Sequence, residues 1–444
     1  MITARAWAGK TFGVYGLART GKSVVAALTA SGASVAAWDD GEAARTAFGG
    51  ELTDIHTADL SQLAAMVMSP GVPHDAAVFR RAVAAGIPVI GDIELFAQAR
   101  SGLPPHKVVG VTGTNGKSTT AALIHHILVT AGIPARLGGN IGAPILSEEP
   151  LPEGGVYVLE LSSFQLDLTF SLVAEVAILL NITPDHLDRH GTMAAYAAAK
   201  SRLFEMQIPA DTAIVGQDDA ITRDIGDEAV ARVVPISSAR PVDEGVGVVA
   251  GRLTVDGIER GAQADWPALA GPHNAQNAAA AVAAAIALGV GDAAIARGLA
   301  TYPGLPHRME RVREIVGVAF VNDSKATNAT SAAPALAAFA HVHWIAGGLA
   351  KTDDLDACLP YLDHVRAAYL IGDAAPLFAR LLDGRVPVVV AETLDRAVAL
   401  AAAAAVPGDT VLLSPACASY DQFTDYAARG TAFRTLVEAL ANKP

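Results

Sequence analysis

The sequence predicts an α/β protein of three domains, each a mainly parallel sheet clothed in helices. Short Val/Ile-rich runs alternate with Ala-rich helical stretches along the whole chain, which is the pattern of parallel sheets buried on both faces. The 444 residues hold about three domains at ~150 residues each. Two turn-rich breaks, Ser101-Gly-Leu-Pro-Pro-His106 and Tyr302-Pro-Gly-Leu-Pro-His307, divide the chain into 1–103, 104–304 and 305–444.

Residues 10–15 read as a strand ending on a glycine turn, 20–31 as a helix and 34–38 as a second strand, with further strands at 66–69 and 87–90. After the first break a strand at 107–111 restarts the pattern, and 156–161, 176–181 and 212–215 continue it. Thr192 is placed as the N-cap of a helix running through Glu205. Residues 240–266 change character to short alternating segments with Gly and Asp turns, a small β-insertion. After the second break come strands at 318–322, 343–346, 368–371 and 410–413. The apolar stretch 278–290, mostly alanine, is a buried core helix, because a spanning helix needs about 20 apolar residues. Residues 401–405 fit one face of another helix.

Composition removes several classes of function. The net charge of −13 argues against a nucleic-acid backbone as the main partner. Hydrophobic residues at 52% and charged ones at 17% exclude a disordered chain. Mean hydropathy is +0.35, yet no stretch is long enough to span a membrane. The N-terminus has no signal-peptide core, so the expected location is the cytoplasm. Cys358 and Cys417 make neither a disulfide framework nor a metal motif and read as two buried thiols.

Two glycine loops carry the chemistry. The strict pattern G-x-x-x-x-G-K-[ST] matches Gly16-Leu-Ala-Arg-Thr-Gly-Lys-Ser23, whereas Gly113-Thr-Asn-Gly-Lys-Ser-Thr119 misses it because Val111 holds the first glycine position. The strand downstream of each loop reverses that ranking. After the first loop, the next strand runs into Asp39-Asp40, where a Rossmann-type site places the acid for a ribose or base edge. After the second, the next strand ends in Glu160, where P-loop enzymes hold Mg²⁺ with the loop's Ser118 as partner. ATP and Mg²⁺ are therefore expected at the second loop. The first loop is either a site for an unhydrolysed nucleotide diphosphate or an ordinary glycine turn. The first domain thus reads as Rossmann-like and the second as P-loop ATPase-like, with a C-terminal Rossmann-like domain behind them.

Further along, His186 stands after a strand end, flanked by Asp185 and Asp188. It is open whether His186 is a loop residue or a ligand, since Mg²⁺ prefers oxygen. Lys200 lies inside the helix opened by Thr192, where spacing alone gives no reason to treat it as other than a solvated lysine. His125 and His126 are adjacent on a helix and do not share a face.

With these motifs assembled, the chain resembles the Mur ligases over essentially its whole length, and within them the branch that adds D-glutamate. The resemblance is carried by GTNGKST at 113–119, GGNIG at 138–142, ELSSFQL at 160–166, DHLDRH at 185–190, AAKSRLFE at 198–205, HNAQN at 273–277 and LPHRME at 305–310. NDSKATN at 322–328, LSPACASYDQF at 413–423 and Ser69-Pro-Gly71 point to the D-glutamate branch. The implied activity is an ATP-dependent ligase joining D-glutamate to UDP-N-acetylmuramoyl-L-alanine through an acyl phosphate, in peptidoglycan precursor synthesis. Lys117 is then expected on the β/γ-phosphates, with Gly113, Thr114, Asn115, Gly116, Ser118, Thr119, Asn277, Arg308 and Asp323 also on ATP. Ser118 and Glu160 would hold one Mg²⁺. His186 and Lys200, the latter as a CO₂-derived carbamate, would serve a second. The UDP substrate would meet Gly16, Leu17, Thr20, Gly21, Asp39, Ser69, Gly71 and Asn140, and D-glutamate would meet Lys325, Thr327, Lys351, Ser419 and Tyr426. The expected partners are these small molecules alone, with the protein a monomer. There are departures: Leu349-Ala350 precedes Lys351 where some members have Asp-Gly, Tyr426 stands where phenylalanine is familiar, and Asp40-Gly41 offers the uracil no basic or Thr group. Folylpolyglutamate synthase, which shares the loop and the lysine, and a non-catalytic nucleotide-binding protein of the same fold are the rival readings.

Overall fold

A computed structural model of the chain describes residues 1–269 and 271–441. Asp188 and His273, both in the motifs above, lie outside the described side chains, as do Pro272 and Ala441. The fold is α/β with three sheets. The first has four parallel strands in the order Ser34–Trp38, Thr11–Tyr15, Ala65–Met68, Val89–Ile90. The second has nine strands. From Ala135–Gly139 it runs through Gly155–Glu160, His106–Thr112, Val176–Leu179, Thr212–Gly216 and Arg232–Ser237, all parallel. The third has six, from Glu310–Ile315 through Val318–Asn322, Thr410–Leu413, Val342–Gly347, Val365–Ile371 and Val388–Glu392. Only its first pair is antiparallel.

The first two sheets belong to one compact unit, Met1–Trp266 with Pro272–Tyr302, and the third sheet to another, which starts at Pro303 and takes in Pro267–Gly271. Within the first unit the two sheets share a core: Trp7, Phe12 and Phe96 from one side join Tyr157, Leu159 and Leu166 from the other. Glu94 fastens the two parts, accepting from Phe170 N at 2.7 Å, Ser171 N at 2.9 Å and Ser171 Oγ at 2.7 Å.

Differences from the sequence reading lie mostly toward the sheet edges, Arg232–Ser237 being paired on both sides. The segment 240–266 forms a meander, Val246–Val249, Arg252–Val255 and Ile258–Ala262, that extends the nine-stranded sheet. Four further strands have no counterpart in the sequence pattern: Ala135–Gly139, Arg232–Ser237, Glu310–Ile315 and Val388–Glu392. The first three lack the clean apolar run that marks a buried strand. Ala135–Gly139 carries two glycines, Arg232–Ser237 a proline, and Glu310–Ile315 a row of charges suited to an exposed edge. The alanine stretch is part of the helix Pro272–Ala287, with Ala278–Ala285 no more than 3% exposed. No described helix is long and apolar enough to cross a membrane.

Candidate active site

Ligands of open α/β sheets bind beyond the carboxyl ends of the strands, and the sequence-predicted residues collect there in each sheet. In the first unit, Gly16, Asp39 and Ser69 follow three neighbouring strands of the four-stranded sheet. Around the adjacent ends of the nine-stranded sheet stand the 113–116 loop, Asn140, Glu160 and the 181–186 segment. A cavity of about 480 Å³ brings Thr20 and Gly71 from the first group together with Lys117, Asn140, His186 and Lys200 from the second.

The two glycine loops differ in where their lysines go. Lys22 is exposed and donates to Ala47 O at 2.8 Å, away from its own loop. Lys117 folds back over its loop and donates to Gly113 O at 3.0 Å and Thr114 O at 2.8 Å. Glycine is required at this loop's turns. Gly113 and Gly116 have φ of +142° and +86°, and a Cβ on Gly116 would lie 2.1 Å from Asn277 Oδ1. Asn277 reaches this point from the alanine-rich helix and accepts from Thr120 Oγ1 at 3.2 Å. Asn115 N donates to Asn181 Oδ1 at 2.9 Å, and Thr114 Oγ1 meets Tyr196 OH at 3.1 Å. Ser118 and Thr119 sit in the first turn of the helix Lys117–Thr130.

Lys200 is not a solvated lysine. Thr192 caps its helix through a bond from Ala195 N at 3.1 Å, and the cap places Tyr196, Lys200 and Leu203 on the buried face at 1%, 2% and 1% exposure. That i, i+4, i+7 spacing is the signal the sequence contained. The Lys200 ammonium donates to Gly113 O at 2.8 Å, the carbonyl that Lys117 also uses, and lies 4.7 Å from the Tyr196 ring centre. Burial, then repulsion from Lys117, pulls its pKa down to about 7. Glu160 is 2% exposed, accepts from Asn140 Nδ2 at 3.2 Å through one oxygen, and has no partner among the described residues for the other. His186 is half-exposed, in the left-handed backbone region, with its ring 5.0 Å from that of Phe164.

On the first loop, Asp39 is turned inward. Its two oxygens accept from Leu17 N at 2.6 Å and Gly41 N at 2.8 Å, so the carboxylate shapes the loop itself. Gly16 and Gly21 are forced by close approach: a Cβ on Gly21 would lie 1.8 Å from Gly16 O, and one on Gly16 2.3 Å from Ser69 Oγ. The basic group that local sequence did not supply beside Asp40 comes from Arg45. It donates to Asp39 O at 2.7 Å and Asp40 O at 2.8 Å and stacks 4.9 Å from the Trp38 ring centre.

In the second unit, Lys325, Thr327, Lys351 and Ser419 follow the ends of three adjacent strands. Lys351 Nζ donates to Thr327 Oγ1 at 3.2 Å, and the Lys325 ammonium lies 3.9 Å from the Tyr426 ring centre. Leu349 and Ala418 exchange two backbone bonds of 2.9 Å, which ties the Lys351 and Ser419 loops together. Asp323 is buried, accepting from Ser414 Oγ at 2.8 Å and Met309 N at 3.2 Å, and desolvation pushes its pKa up to about 7. Arg308 lies within this electrostatic environment. Sequence reasoning misses Arg429, which is 1% exposed. It donates to Ser324 Oγ at 2.9 Å, Ser324 O at 2.9 Å, Cys417 O at 3.0 Å and Ala418 O at 3.2 Å. Nothing in its local spacing marks it, because its partners lie in two other loops. Cys358 and Cys417 are buried free thiols, as expected, and burial pushes both up to about 12.

The chain matches the Mur ligase middle domain over residues 111–285 and the Mur ligase glutamate ligase domain over 307–417. It is 56% identical to the UDP-N-acetylmuramoylalanine--D-glutamate ligase of Novosphingobium aromaticivorans, covering 99% of this chain and 97% of the relative. To the enzyme of that name from Sphingopyxis alaskensis it is 55% identical, over 99% and 100%. Among solved structures, the UDP-N-acetylmuramate-alanine ligase of Thermotoga maritima shares the fold at TM-score 0.61 and 16% identity, covering 97% of this chain and 99% of the other. The 113–119 loop, Glu160 and Lys200 all fall inside a matched segment, the relatives run the full length of the sequence, and the chain belongs to the Mur ligase family.

Proposed function

We propose that this Mur ligase joins D-glutamate to UDP-N-acetylmuramoyl-L-alanine, with cleavage of ATP to ADP and phosphate, as a step in peptidoglycan precursor synthesis. It is an ATP-dependent amide-bond-forming ligase, as its curated relatives are. The observation that carries the reading is the convergence of Lys117 and Lys200 on one carbonyl, Gly113 O, in the cavity that also reaches Thr20, Gly71 and Asn140. The Lys117 ammonium puts positive charge where an anionic ligand would bind, and the same carbonyl holds the Lys200 nitrogen beside it.

The reaction needs little covalent work from the protein. The substrate carboxylate attacks the γ-phosphorus as the bond to ADP breaks. The amine of D-glutamate, having lost a proton, then attacks the acyl carbon, and phosphate leaves. Lys117 places charge where the transferring oxygens become more negative, and the N-terminus of its helix adds backbone N–H groups. Gly113, Thr114, Asn115, Gly116, Ser118, Thr119 and Asn277 are the first unit's ATP residues in this reading, and Arg308 and Asp323 are the second unit's candidates. Gly16, Leu17, Thr20, Gly21, Asp39, Ser69, Gly71 and Asn140 receive the UDP substrate. Lys325, Thr327, Lys351, Ser419 and Tyr426 receive D-glutamate.

The donor set suits Mg²⁺. Among the described residues no three His, Cys, Asp or Glu side chains form a metal cage, and Mg²⁺ characteristically takes one or two carboxylates plus substrate phosphates. Glu160, with its unpartnered buried oxygen, would hold one ion with Ser118. His186 and Lys200 would serve the other. Lys200 fits a carbamate. Its pKa, lowered to about 7, leaves a substantial share of the amine neutral at neutral pH. That nitrogen adds to the carbon of CO₂, one proton goes to solvent, and a hard oxygen donor results. When bound, Mg²⁺ neutralises charge on the phosphoryl and carboxylate oxygens. We place the enzyme in the cytoplasm as a monomer with domains 1–103, 104–304 and 305–444.

The test is phosphate release. It is expected only when ATP, UDP-N-acetylmuramoyl-L-alanine and D-glutamate are all present. Release with a folate in place of the nucleotide would favour the folylpolyglutamate synthase reading, and no release in any mixture the non-catalytic one.

A further inference from the structure

Arg19 opens the helix Arg19–Ala30 within the first glycine loop, is exposed, and lines the cavity that also holds Thr20, Gly71, Asn140 and Lys117. Its guanidinium reaches across to the loop that follows the strand Ala135–Gly139, where Nη2 donates to Gly142 O. A guanidinium carries five N–H donors, and among the described residues this neutral carbonyl is the acceptor it meets, with no carboxylate paired to it. Its charge and most of its fork are therefore left for a ligand. The other cations around the site are directed elsewhere. Lys22, the lysine of the strict glycine-loop pattern, donates to Ala47 O at 2.8 Å. Arg45 bonds the carbonyls of Asp39 and Asp40 at 2.7 and 2.8 Å and packs on the Trp38 ring. Lys117 and Lys200 both turn to Gly113 O on the second loop. Arg19 is thus the cation that the first loop presents to the cavity.

Resting on the function proposed above, the nucleotide substrate runs from base and ribose through a diphosphate to the muramoyl sugar and the alanyl carboxylate. Asp39, expected at the base or ribose, follows the strand Ser34–Trp38. Asn140, on the other sheet, bonds Glu160 Oε1 at 3.2 Å and so stands toward the reacting end. Arg19 spans the two groups: its backbone belongs to the first loop, and its side chain ends at Gly142 O, two residues beyond Asn140. The part of the substrate between a nucleoside and a sugar is the diphosphate. A planar guanidinium fork matches phosphate oxygens two at a time. We propose that Arg19 is a further substrate-binding residue whose guanidinium clamps the diphosphate of the nucleotide substrate, in the role a glycine-loop lysine would otherwise fill. Gly142 O holds the side chain in reach beforehand, which lowers the cost of ordering it on binding.

Calorimetric titration of UDP-N-acetylmuramoyl-L-alanine into the wild-type protein, R19M and R19K tests this. R19M keeps an apolar stem and loses both charge and fork, so its Kd should rise about tenfold to a hundredfold at low salt. Salt screens a charge contact at an exposed site, so the gap to wild type should narrow severalfold at about 0.5 M NaCl. A loss caused by a disturbed loop would not respond to salt in that way. R19K returns the charge without the fork and should recover part of the loss; it also serves as the second variant should R19M fail to fold. The Kd for ATP should stay within about twofold of wild type in both variants. The R19M penalty should persist with UDP-N-acetylmuramate, which keeps the diphosphate and lacks the alanyl group. Unchanged nucleotide binding in R19M, a penalty that salt does not reduce, one that disappears with UDP-N-acetylmuramate, or an equal loss for ATP overturns the assignment. If the wild-type protein does not bind the nucleotide, the functional reading itself fails; if it binds and R19M binds equally well, only the role of Arg19 falls.

Discussion

Arg429 is a buried cation whose hydrogen-bond partners are all uncharged, and replacing it should reverse the usual order of conservative and drastic substitutions. R429M removes four donor contacts, to Ser324 Oγ, Ser324 O, Cys417 O and Ala418 O. At about 1 kcal/mol each, somewhat more where a buried acceptor is orphaned, the loss is about 4–6 kcal/mol. Against this stands the desolvation of the guanidinium. Burial lowers its pKa from 12.5 to about 10, so removing the charge returns about 3 kcal/mol. The net loss for R429M is about 1–3 kcal/mol. R429K keeps the charge and its desolvation, while one ammonium nitrogen cannot span acceptors in two loops. It forfeits two or three contacts with nothing returned, about 2–4 kcal/mol. Lysine should therefore be the worse replacement. At roughly 3 °C per kcal/mol for a unit of this size, calorimetry should place the R429K transition of the second unit about 3 °C below that of R429M. Both variants should raise the KM for D-glutamate, because the loops carrying Lys325 and Ser419 lose their common anchor. An R429K protein as stable as wild type, beside a collapsed R429M, would mean that the charge itself is what matters, and the reasoning would be refuted.

The site yields further expected outcomes. K117A should lower kcat by about 10²–10³, whereas K22A, whose ammonium reaches Ala47 O instead of its own loop, should leave kcat near wild type; the opposite pattern in steady-state kinetics would exchange the roles of the two loops. K200A should keep the fold and lose turnover, with partial rescue by small carboxylic acids that present the oxygens of a carbamate; near-wild-type turnover in CO₂-free buffer would exclude the modification. Asp323 has its pKa raised from 3.8 to about 7 by burial. The folded state therefore holds a proton that the unfolded state releases between those values, and the stability of the second unit should fall as pH rises from about 4 to 7. D323N should flatten that slope and melt higher than wild type at pH 8. An unchanged pH profile in thermal melts would show that Asp323 ionises normally.

Much of the site is legible in the sequence because it is written in local chain geometry. A strand, a glycine turn and a lysine mark a candidate phosphate loop within a few residues, but they do so at both 16–23 and 113–119, and the acid at the downstream strand end, Glu160, is what singles out the second. The Thr192 cap and the strand-end position of Glu160 are local in the same sense. The lysine question is half local: the i, i+4, i+7 row of Tyr196, Lys200 and Leu203 is present in the sequence, but only packing against the Gly113 loop makes it a buried row.

Long-range partners set what local pattern could not decide. Strands that carry glycine, proline or charge, such as Ala135–Gly139, Arg232–Ser237 and Glu310–Ile315, become strands through pairing with neighbours already in a sheet; the meander 246–262 joins the nine-stranded sheet in the same way. Arg429 bonds residues 105 and 12 positions away. Asp92, read along the chain, is an ordinary acidic residue at a helix start, favoured there by the helix dipole. Only the fold buries it and leaves one of its oxygens without a partner among the described residues. The sequence by itself determined which loops turn on glycine between a strand and a helix, since backbone conformation depends on a residue and its immediate neighbours. The tertiary structure alone decided which charges are stripped of water, since desolvation is a property of everything packed around a group and of no segment by itself.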